Sequence, residues 1–299
     1  MSFSKIVLEQ FRRFSRAEFY FSPAGITLMT GPNGSGKSTI LEAVYLLCMG
    51  RNSRDLQLST LLHRSASTMG SERRPPFFRI TGDRPSGLSP RSVSFLSGSG
   101  VAYHEADQPA RRIDWIGRPA VVIFSSCELR LITGEPALRR KWMDRILSQE
   151  DPEFLARLRR YTRTLEERNA LLKSNFPRPP DPGAWLAVDE TLAQDGDFLV
   201  EARRRLVEGL MEQLPGKMDL LGSALLAGRI RLKLMESAQG NILQALLDHR
   251  HEDLACGHTT VGPHRDDLLF LDFLPEDREV QAFAAANTLS QGEIRILAL

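Results

Sequence analysis

The sequence has no apolar run of the roughly 18 residues that a membrane-spanning helix requires, so no membrane span is expected. Its first residues alternate (Phe3, Ile6, Leu8, Phe11) in the manner of a folded strand. A signal peptide would show a basic segment followed by an apolar core, and the expected compartment is the cytoplasm. Cysteine is scarce: Cys48, Cys127 and Cys256 are odd in number and far apart, which supports neither a disulfide framework nor a zinc site. Three separate reduced thiols are expected. Excess charge is lacking too. A formal net charge of +2 is too small to imply nucleic acid, so any such argument has to come from local clusters. What is present is ordinary for a soluble globular protein: 42% apolar and 25% charged residues over 299 positions, enough for one large or two ordinary domains.

One stretch organises the rest. Gly31-Pro32-Asn33-Gly34-Ser35-Gly36-Lys37-Ser38-Thr39 has the form G-x-x-x-x-G-K-[ST] of a nucleotide phosphate loop. Before it, Gly25-Ile26-Thr27-Leu28-Met29-Thr30 is a short apolar, β-branched run that suits a buried strand. After it, Ile40 to Leu47 carries apolar residues at helical spacing. Strand, glycine loop and helix are what phosphate binding needs. Glycines let backbone N–H groups turn inward around phosphate oxygens, and the helix N-terminus adds partial positive charge. Lys37 is the expected catalytic cation on the β- and γ-phosphates of ATP, and the Ser38 hydroxyl the expected Mg²⁺ ligand.

Along the chain, residues 2–30 read as three strands, with Ala17 to Phe21 alternating and a turn over residues 22–25. Two roles stand open for Arg12, a structural partner on a solvated edge or a contact to the nucleotide. Leu56 to His63 reads as a short helix. Residues 64–76 and 83–100 read as loops or hairpin ends flanking the strand Phe77 to Thr81, and Ala120-Val121-Val122-Ile123-Phe124 as a buried central strand. The period then changes. Pro136 to Gln149 is helical. Pro152 to Ser174 carries Leu155, Leu158, Thr162, Leu165, Asn169 and Leu172 at alternating spacings of three and four, an a/d seam. After the proline-rich turn at 175–183 a second long helix, from about Ala184 to Leu214, places Trp185, Val188, Leu192, Leu199, Ala202 and Leu206 in the same register, with Asp195 interrupting. The two make an antiparallel helical hairpin. Strand character returns at Gly228 to Leu234 and before Leu271, with a helix at Gln239 to His249 between them.

A second motif closes the chain. Leu289-Ser290-Gln291-Gly292-Glu293 has the form of the signature of ABC-type ATPases, a serine hydroxyl and a glycine N–H at a helix start where donors point at an anion. In such ATPases the signature of one protomer closes in trans over the γ-phosphate held by the other, so that ATP joins a head-to-tail dimer.

With both motifs in place the sequence resembles the RecF family of bacterial recombination mediators, which belongs with the SMC-type ABC ATPases. The resemblance runs over essentially the whole chain. It is carried by Phe11-Arg12-Arg13-Phe14, the phosphate loop with Leu41 to Leu47, Gly50-Arg51-Asn52-Ser53-Arg54, Val122-Ile123-Phe124-Ser125, Arg139 to Asp144, Tyr161, Glu167 and Arg168 to Lys173. Most specific is Gly262-Pro263-His264-Arg265-Asp266-Asp267-Leu268. The resemblance implies an α/β fold, a P-loop ABC/SMC-type ATPase head with an inserted α-helical lobe containing the short antiparallel hairpin. Its expected divisions are an ATPase lobe at 1–130, a helical lobe at 131–225, and a return to the head at 226–299. It implies an ATP-dependent homodimer in recombinational DNA repair and replication, including the SOS response. That dimer would bind double-stranded DNA near single-strand gaps and work with RecO- and RecR-type mediators to load RecA. A weak DNA-stimulated ATPase is implied for the intact protein.

Two departures bear on this. Ser126-Cys127-Glu128-Leu129 stands where the family tends to Ser-Pro-Glu-Asp-Leu, so no Q-loop residue is assigned. No apolar run ending in paired acids follows Glu293, and Leu268-Leu269-Phe270-Leu271-Asp272, which has the letters of a Walker B strand, precedes the signature. The chain therefore reads as a partial sequence that binds ATP more readily than it hydrolyses it. Candidate DNA contacts are Arg139-Arg140-Lys141, Arg157-Arg159-Arg160-Arg163 and Arg203-Arg204-Arg205, each also readable as a solvated helix face. His264-Arg265-Asp266-Asp267 reads as an internal charge network in preference to a catalytic site. Three alternatives share features with this reading. A transporter ATPase subunit shares both motifs, but Lys37 and Ser290 are too widely separated for one. A long-armed SMC protein needs far longer heptad arms. A nucleotide-dependent dimerisation switch without hydrolysis fits the missing acid.

Overall fold

The computed structural model describes residues 3–22, 25–53, 57–63, 75–85, 88–116, 119–124, 129–173, 182–238, 240–273 and 282–298. The chain forms two compact units, Met1–Ile123 and Phe124–Leu299.

The first unit is built on a six-stranded antiparallel sheet. Its strands are β1 (Lys5–Phe11), β2 (Phe14–Tyr20), β3 (Phe77–Asp83), β4 (Arg91–Leu96), β5 (Gly100–Glu105) and β6 (Gln108–Ala110), in the order β2-β1-β3-β4-β5-β6. Residues 83–100, expected as loop, thus supply β4. The alternation that predicted β1 is the cause of its packing. Ile6, Leu8 and Phe11 point to one face and are fully buried, with Phe78, Ile80 and Val93 of the neighbouring strands. Over that face lies α1 (Lys37–Met49), which buries Ala43, Leu46 and Leu47. Trp115, at the end of the short helix α2 (Arg112–Trp115), closes the core. Its indole N–H donates to the Leu47 carbonyl at 2.7 Å, and the Arg91 guanidinium lies 4.5 Å from its ring centroid. Cys48 is sealed in this core, and burial pushes its thiol up to about 12, so it is inert at neutral pH. Cys127 lies outside the described residues. The expected helix near Leu56 is a single 3-10 turn at Leu58–Leu61.

Two expected strands are not strands. Among the described residues, 26–30 and 120–124 belong to neither sheet. Ile26 is 95% exposed and Val122 92%. Both runs are apolar on two faces, the pattern of a central parallel strand. Such a strand is stable only where neighbours accept its N–H groups and cover both faces. Here one side of each is covered: Met29, Val121 and Ile123 pack against the core, leaving an apolar groove lined by Phe3, Phe21, Leu41, Tyr45 and Val121.

The second unit is mainly helical. After α3 (Arg130–Thr133) and α4 (Pro136–Glu150) come the two long helices α5 (Pro152–Lys173) and α6 (Pro182–Leu220). Their charge pairs show the antiparallel hairpin directly. Arg157 and Arg160 of α5 reach Asp195, and Arg168, further along α5, reaches Asp189, earlier on α6. The buried seam keeps Leu155 and Leu172 of the expected one, with Leu158 and Leu165 partly buried, and is broadened by further positions. Phe154, Tyr161, Thr164 and Arg168 are buried, whereas Thr162 is exposed and its hydroxyl returns to the Leu158 carbonyl at 2.8 Å. A strict apolar pattern misses this because Arg168 and Asp189, both 0% exposed, enter the interface as a pair. The α6 helix also runs through Pro215 to Leu220, past its expected end. After α7 (Ala224–Arg229) comes a small antiparallel sheet of β7 (Ile230–Met235), β8 (Asp267–Phe273) and β9 (Ala282–Ala284), with β8 in the middle. The short helices α8 (Ile242–Asp248) and α9 (Arg250–Cys256) lie between β7 and β8 in the chain and pack against the long helices. The chain ends in α10 (Ala285–Thr288) and α11 (Gln291–Leu297). No described helix is long and apolar enough to cross a membrane.

Candidate nucleotide site and its signature element

The phosphate loop is open and exposed from Gly31 to Gly34, and Ser35 N–H donates to the Pro32 carbonyl at 3.2 Å to close its turn. Gly36 caps α1 in the left-handed region at φ 103°. A side chain there would be strained and would drive a Cβ to 2.5 Å from the Phe14 ring and 2.9 Å from Arg13. The helix start carries no capping side chain and no acid in its first turn. Its first N–H groups are therefore left for an external anion. Lys37 Nζ is held over the loop by the Gly31 carbonyl at 2.7 Å and the Pro32 carbonyl at 2.9 Å. Those are neutral acceptors, which a phosphate oxygen outcompetes by its charge. Ser38 is exposed beside it.

Arg12 is paired within the unit, beside the loop. Its guanidinium is gripped at two points, Nε and Nη2, by Glu42 of α1, each at 3.0 Å. This ties the β1–β2 turn to the loop helix. Arg12 itself has φ 53°. Beside the loop, Arg12, Arg13, Gly34, Thr39, Thr60, Leu62 and His63 line a cleft of about 650 Å³. Motif reasoning missed Arg13, Thr60 and His63 as neighbours of the loop. Only the Phe11-Arg12-Arg13-Phe14 pattern hinted at the first, because the loop's letters say nothing of what packs beside it.

The signature lies in the second unit. Ser290 is the N-cap of α11, and its hydroxyl accepts the Glu293 N–H at 3.3 Å while Glu293 Oε2 accepts the Ser290 N–H at 2.8 Å. This is a complete capping box. Leu289, Ile294 and Leu297 are buried under it in a cluster with Leu268, Phe270 and Ala285, while Gln291 and Gly292 face outward. Hydrogen bonding to Ser290 holds the Glu293 carboxyl below the usual range, and Arg229 adds to the effect. The Walker B look-alike is resolved by its surroundings. Asp272, at the end of the apolar run in β8, is 0% exposed. Its two oxygens are taken by Arg229 at 3.0 and 2.6 Å and by the Thr288 hydroxyl at 2.7 Å.

The Gly262–Asp267 turn is an internal network. The Tyr161 hydroxyl meets His264 Nδ1 at 2.7 Å and His264 Nε2 meets the Thr259 carbonyl at 3.1 Å, a pairing that assigns the proton to Nε2. Burial pushes His264 down to about 4, so it is neutral at physiological pH. Gly262, at φ 124°, lets Tyr161 approach, since a Cβ would come to 2.8 Å from its hydroxyl. Arg139 binds Asp267 at two points and Arg203 binds Asp144 and the Pro263 carbonyl. Two of the expected DNA-contact arginines are thus consumed inside the fold. Arg157 and Arg160 pair with buried Asp195, and Arg204 is clamped by Glu236. The expected clusters leave Lys141, Arg159, Arg163 and Arg205 on the surface, with Arg160 half-exposed beside Asp195 and with Arg163 and Arg205 in outward pairs with Glu167 and Glu201.

Residues 5–100 match the family model described as an AAA domain. Over 99% of its length the chain superposes on a solved recombination mediator protein, RecF with ATP, in the RecFOR pathway. The TM-score is 0.83 and identity 23%, covering 78% of that chain. The fold is that of an α/β P-loop ATPase with a largely helical second unit.

Sequence relatives narrow the class. The chain is 33% identical over 291 residues to the DNA replication and repair protein RecF of Chloroflexus aurantiacus, covering 89% of this chain and 73% of the relative. It is 30% identical over 308 residues to that of Lactococcus lactis subsp. cremoris, covering 100% of this chain and 78% of the relative. The chain belongs to the RecF family of DNA replication and repair proteins.

Proposed function

We propose that the chain binds ATP on residues Gly31 to Thr39 and that two copies close on it. In this reading Ser290, Gln291, Gly292 and Glu293 of one copy meet the γ-phosphate held by Lys37 of the other. The observation that carries it is the α1 start, where the capping residue is a glycine, no acid stands in the first turn and Lys37 lies on neutral carbonyls. Gly292 supports the second half. A Cβ there would meet nothing closer than the Ser290 hydroxyl at 3.9 Å, so packing within the unit does not call for glycine at that position. Close approach by an external group does.

Mg²⁺ fits this site through the Ser38 hydroxyl together with phosphate oxygens. No group of three or more His, Cys, Asp or Glu side chains that could hold a metal exists among the described residues. When bound, the ion neutralises charge between the phosphates. Hydrolysis further needs an acid that orients water, and Asp272 is engaged elsewhere. The bound dimer is the working state that this chain's own residues supply. Its three functional segments are 1–130, 131–225 and 226–299.

The partners in this reading are those of the family: double-stranded DNA near gaps and RecO- and RecR-type mediators, with RecA loading as the outcome. Lys141, Arg159, Arg163 and Arg205 are surface cations offered to phosphates, which need charge without base-reading geometry. Sedimentation of the protein with and without Mg-ATP, and with and without gapped duplex, tests the whole. An ATP-dependent dimer that carries DNA is the expected result. Ser290→Arg should keep nucleotide affinity and lose the dimer, and a variant that still dimerises with ATP would refute the composite site.

A further inference from the structure

The signature helix has a polar anchor as well as an apolar one. Asp272 is the last inward-facing residue of β8 and is wholly buried. A carboxylate in that position is tolerated only when its oxygens are saturated, and here three donors saturate them. Two come from Arg229, which ends α7 immediately before β7, where Ile230 pairs with Asp272 in register. The third is the Thr288 hydroxyl at 2.7 Å, the last residue of α10 and two positions before Ser290. Leu289 and Ile294 fix how deep α11 sits. An apolar contact alone, however, leaves a seven-residue helix free to slide and rotate by small amounts.

We propose that Asp272, itself held by Arg229, is a positioning residue, which through Thr288 fixes the place and orientation of the Ser290–Glu293 turn. The consequence for dimerisation rests on the reading above, in which that turn meets the partner's nucleotide. The run Leu268 to Asp272 thus serves the signature and not the metal, which explains a Walker B-like sequence on the wrong side of it.

Thr288→Val in the intact protein removes the hydroxyl at nearly constant volume, and Thr288→Ser keeps it. A hydrogen bond to a buried carboxylate is large enough that its loss should weaken ATP-dependent dimerisation about tenfold. Fluorescent-nucleotide affinity should stay within about twofold. Amide exchange over residues 290–294 should quicken in the valine variant even without nucleotide, and serine should restore both readouts. A valine variant with wild-type dimerisation and wild-type exchange overturns the proposal, as does a serine variant that fails to rescue. Ser290→Arg, run alongside, separates the two claims. If it still dimerises with ATP the composite-site reading falls, while the exchange comparison still decides the positioning role.

Discussion

The molecule contains two helix starts that resemble each other in sequence, each a serine and glycine at the head of a helix, and they are built in opposite ways. At α1 the cap is Gly36, with no side-chain acceptor and no acid in the first turn. At α11 the cap is Ser290, whose box with Glu293 uses two backbone donors internally and places an acid among the rest. The first can hold a polyphosphate unaided, because its orphan N–H groups, its dipole and Lys37 all favour negative charge. The second is already satisfied, and Glu293 repels an anion. It suits a surface that adds a few contacts to a phosphate held elsewhere and does not capture free phosphate. In the proposed ATP-dependent dimer that asymmetry would divide the work, with one element to bind the nucleotide and the other to recognise it.

Three changes probe the contrast. The largest effect is expected from Lys37→Ala, which removes the cation over the loop and should lower nucleotide affinity at least about a hundredfold in a fluorescence titration. Amide exchange over α11 should be unaltered. Comparable loss from a change in α11 would break the division of labour. Next are paired glycine substitutions. Gly36→Ala meets Phe14 at 2.5 Å in a left-handed conformation and should cost about 1–3 kcal/mol in chemical denaturation. Gly292→Ala sits in open space and should be neutral or stabilising by up to about 1 kcal/mol. It should nonetheless impair the ATP-dependent dimer. A destabilised Gly292→Ala would mean that this glycine serves folding.

The smallest effect is that of pH. Glu293 has a carboxyl held below its usual value by hydrogen bonding to Ser290. A depressed folded-state value means that its contribution is present above the unfolded value and is lost as pH falls through the folded one. Acidification should therefore loosen the start of α11, seen as a titration of the Ser290 and Glu293 amide resonances with a midpoint below the ordinary glutamate value of 4.5. Glu293→Gln should abolish it. The α1 start has no acid in its first turn and should show no such transition.

Much of the fold and of the first site was legible because it depends on local rules. Alternation placed β1 and β2, glycine and lysine spacing placed the loop on α1, and a proline-rich break between periodic stretches placed the hairpin. The apolar runs at 26–30 and 120–124 were legible as strand material, but a strand is a relation between segments, and neither run joins a sheet of the described residues. Residues 91–100 were hidden for the reverse reason. Their serines, glycines and short length read as loop, yet β4 and β5 pair with each other and β4 with β3. The surface arginines were the least legible. Arg139 and Arg203 read as a basic face, and only the fold shows them turned inward on Asp267 and Asp144. A charge pattern along one helix does not reveal acids that lie far away in sequence.

By itself, then, the sequence determined the chemistry that backbone and near neighbours can supply: a phosphate loop opening a helix, a Ser–Glu capping box, and an antiparallel pair of long helices. These follow from φ preferences, hydrogen-bond reach and periodicity, all properties of a few consecutive residues. Only the tertiary structure decided which ionic groups are spent on folding. It set Arg12 on Glu42, Arg168 between Asp189 and Asp253, and Asp272 under Thr288. A buried charge is stable only with a partner at contact distance, and that partner's identity is fixed by packing in three dimensions and not by separation along the chain.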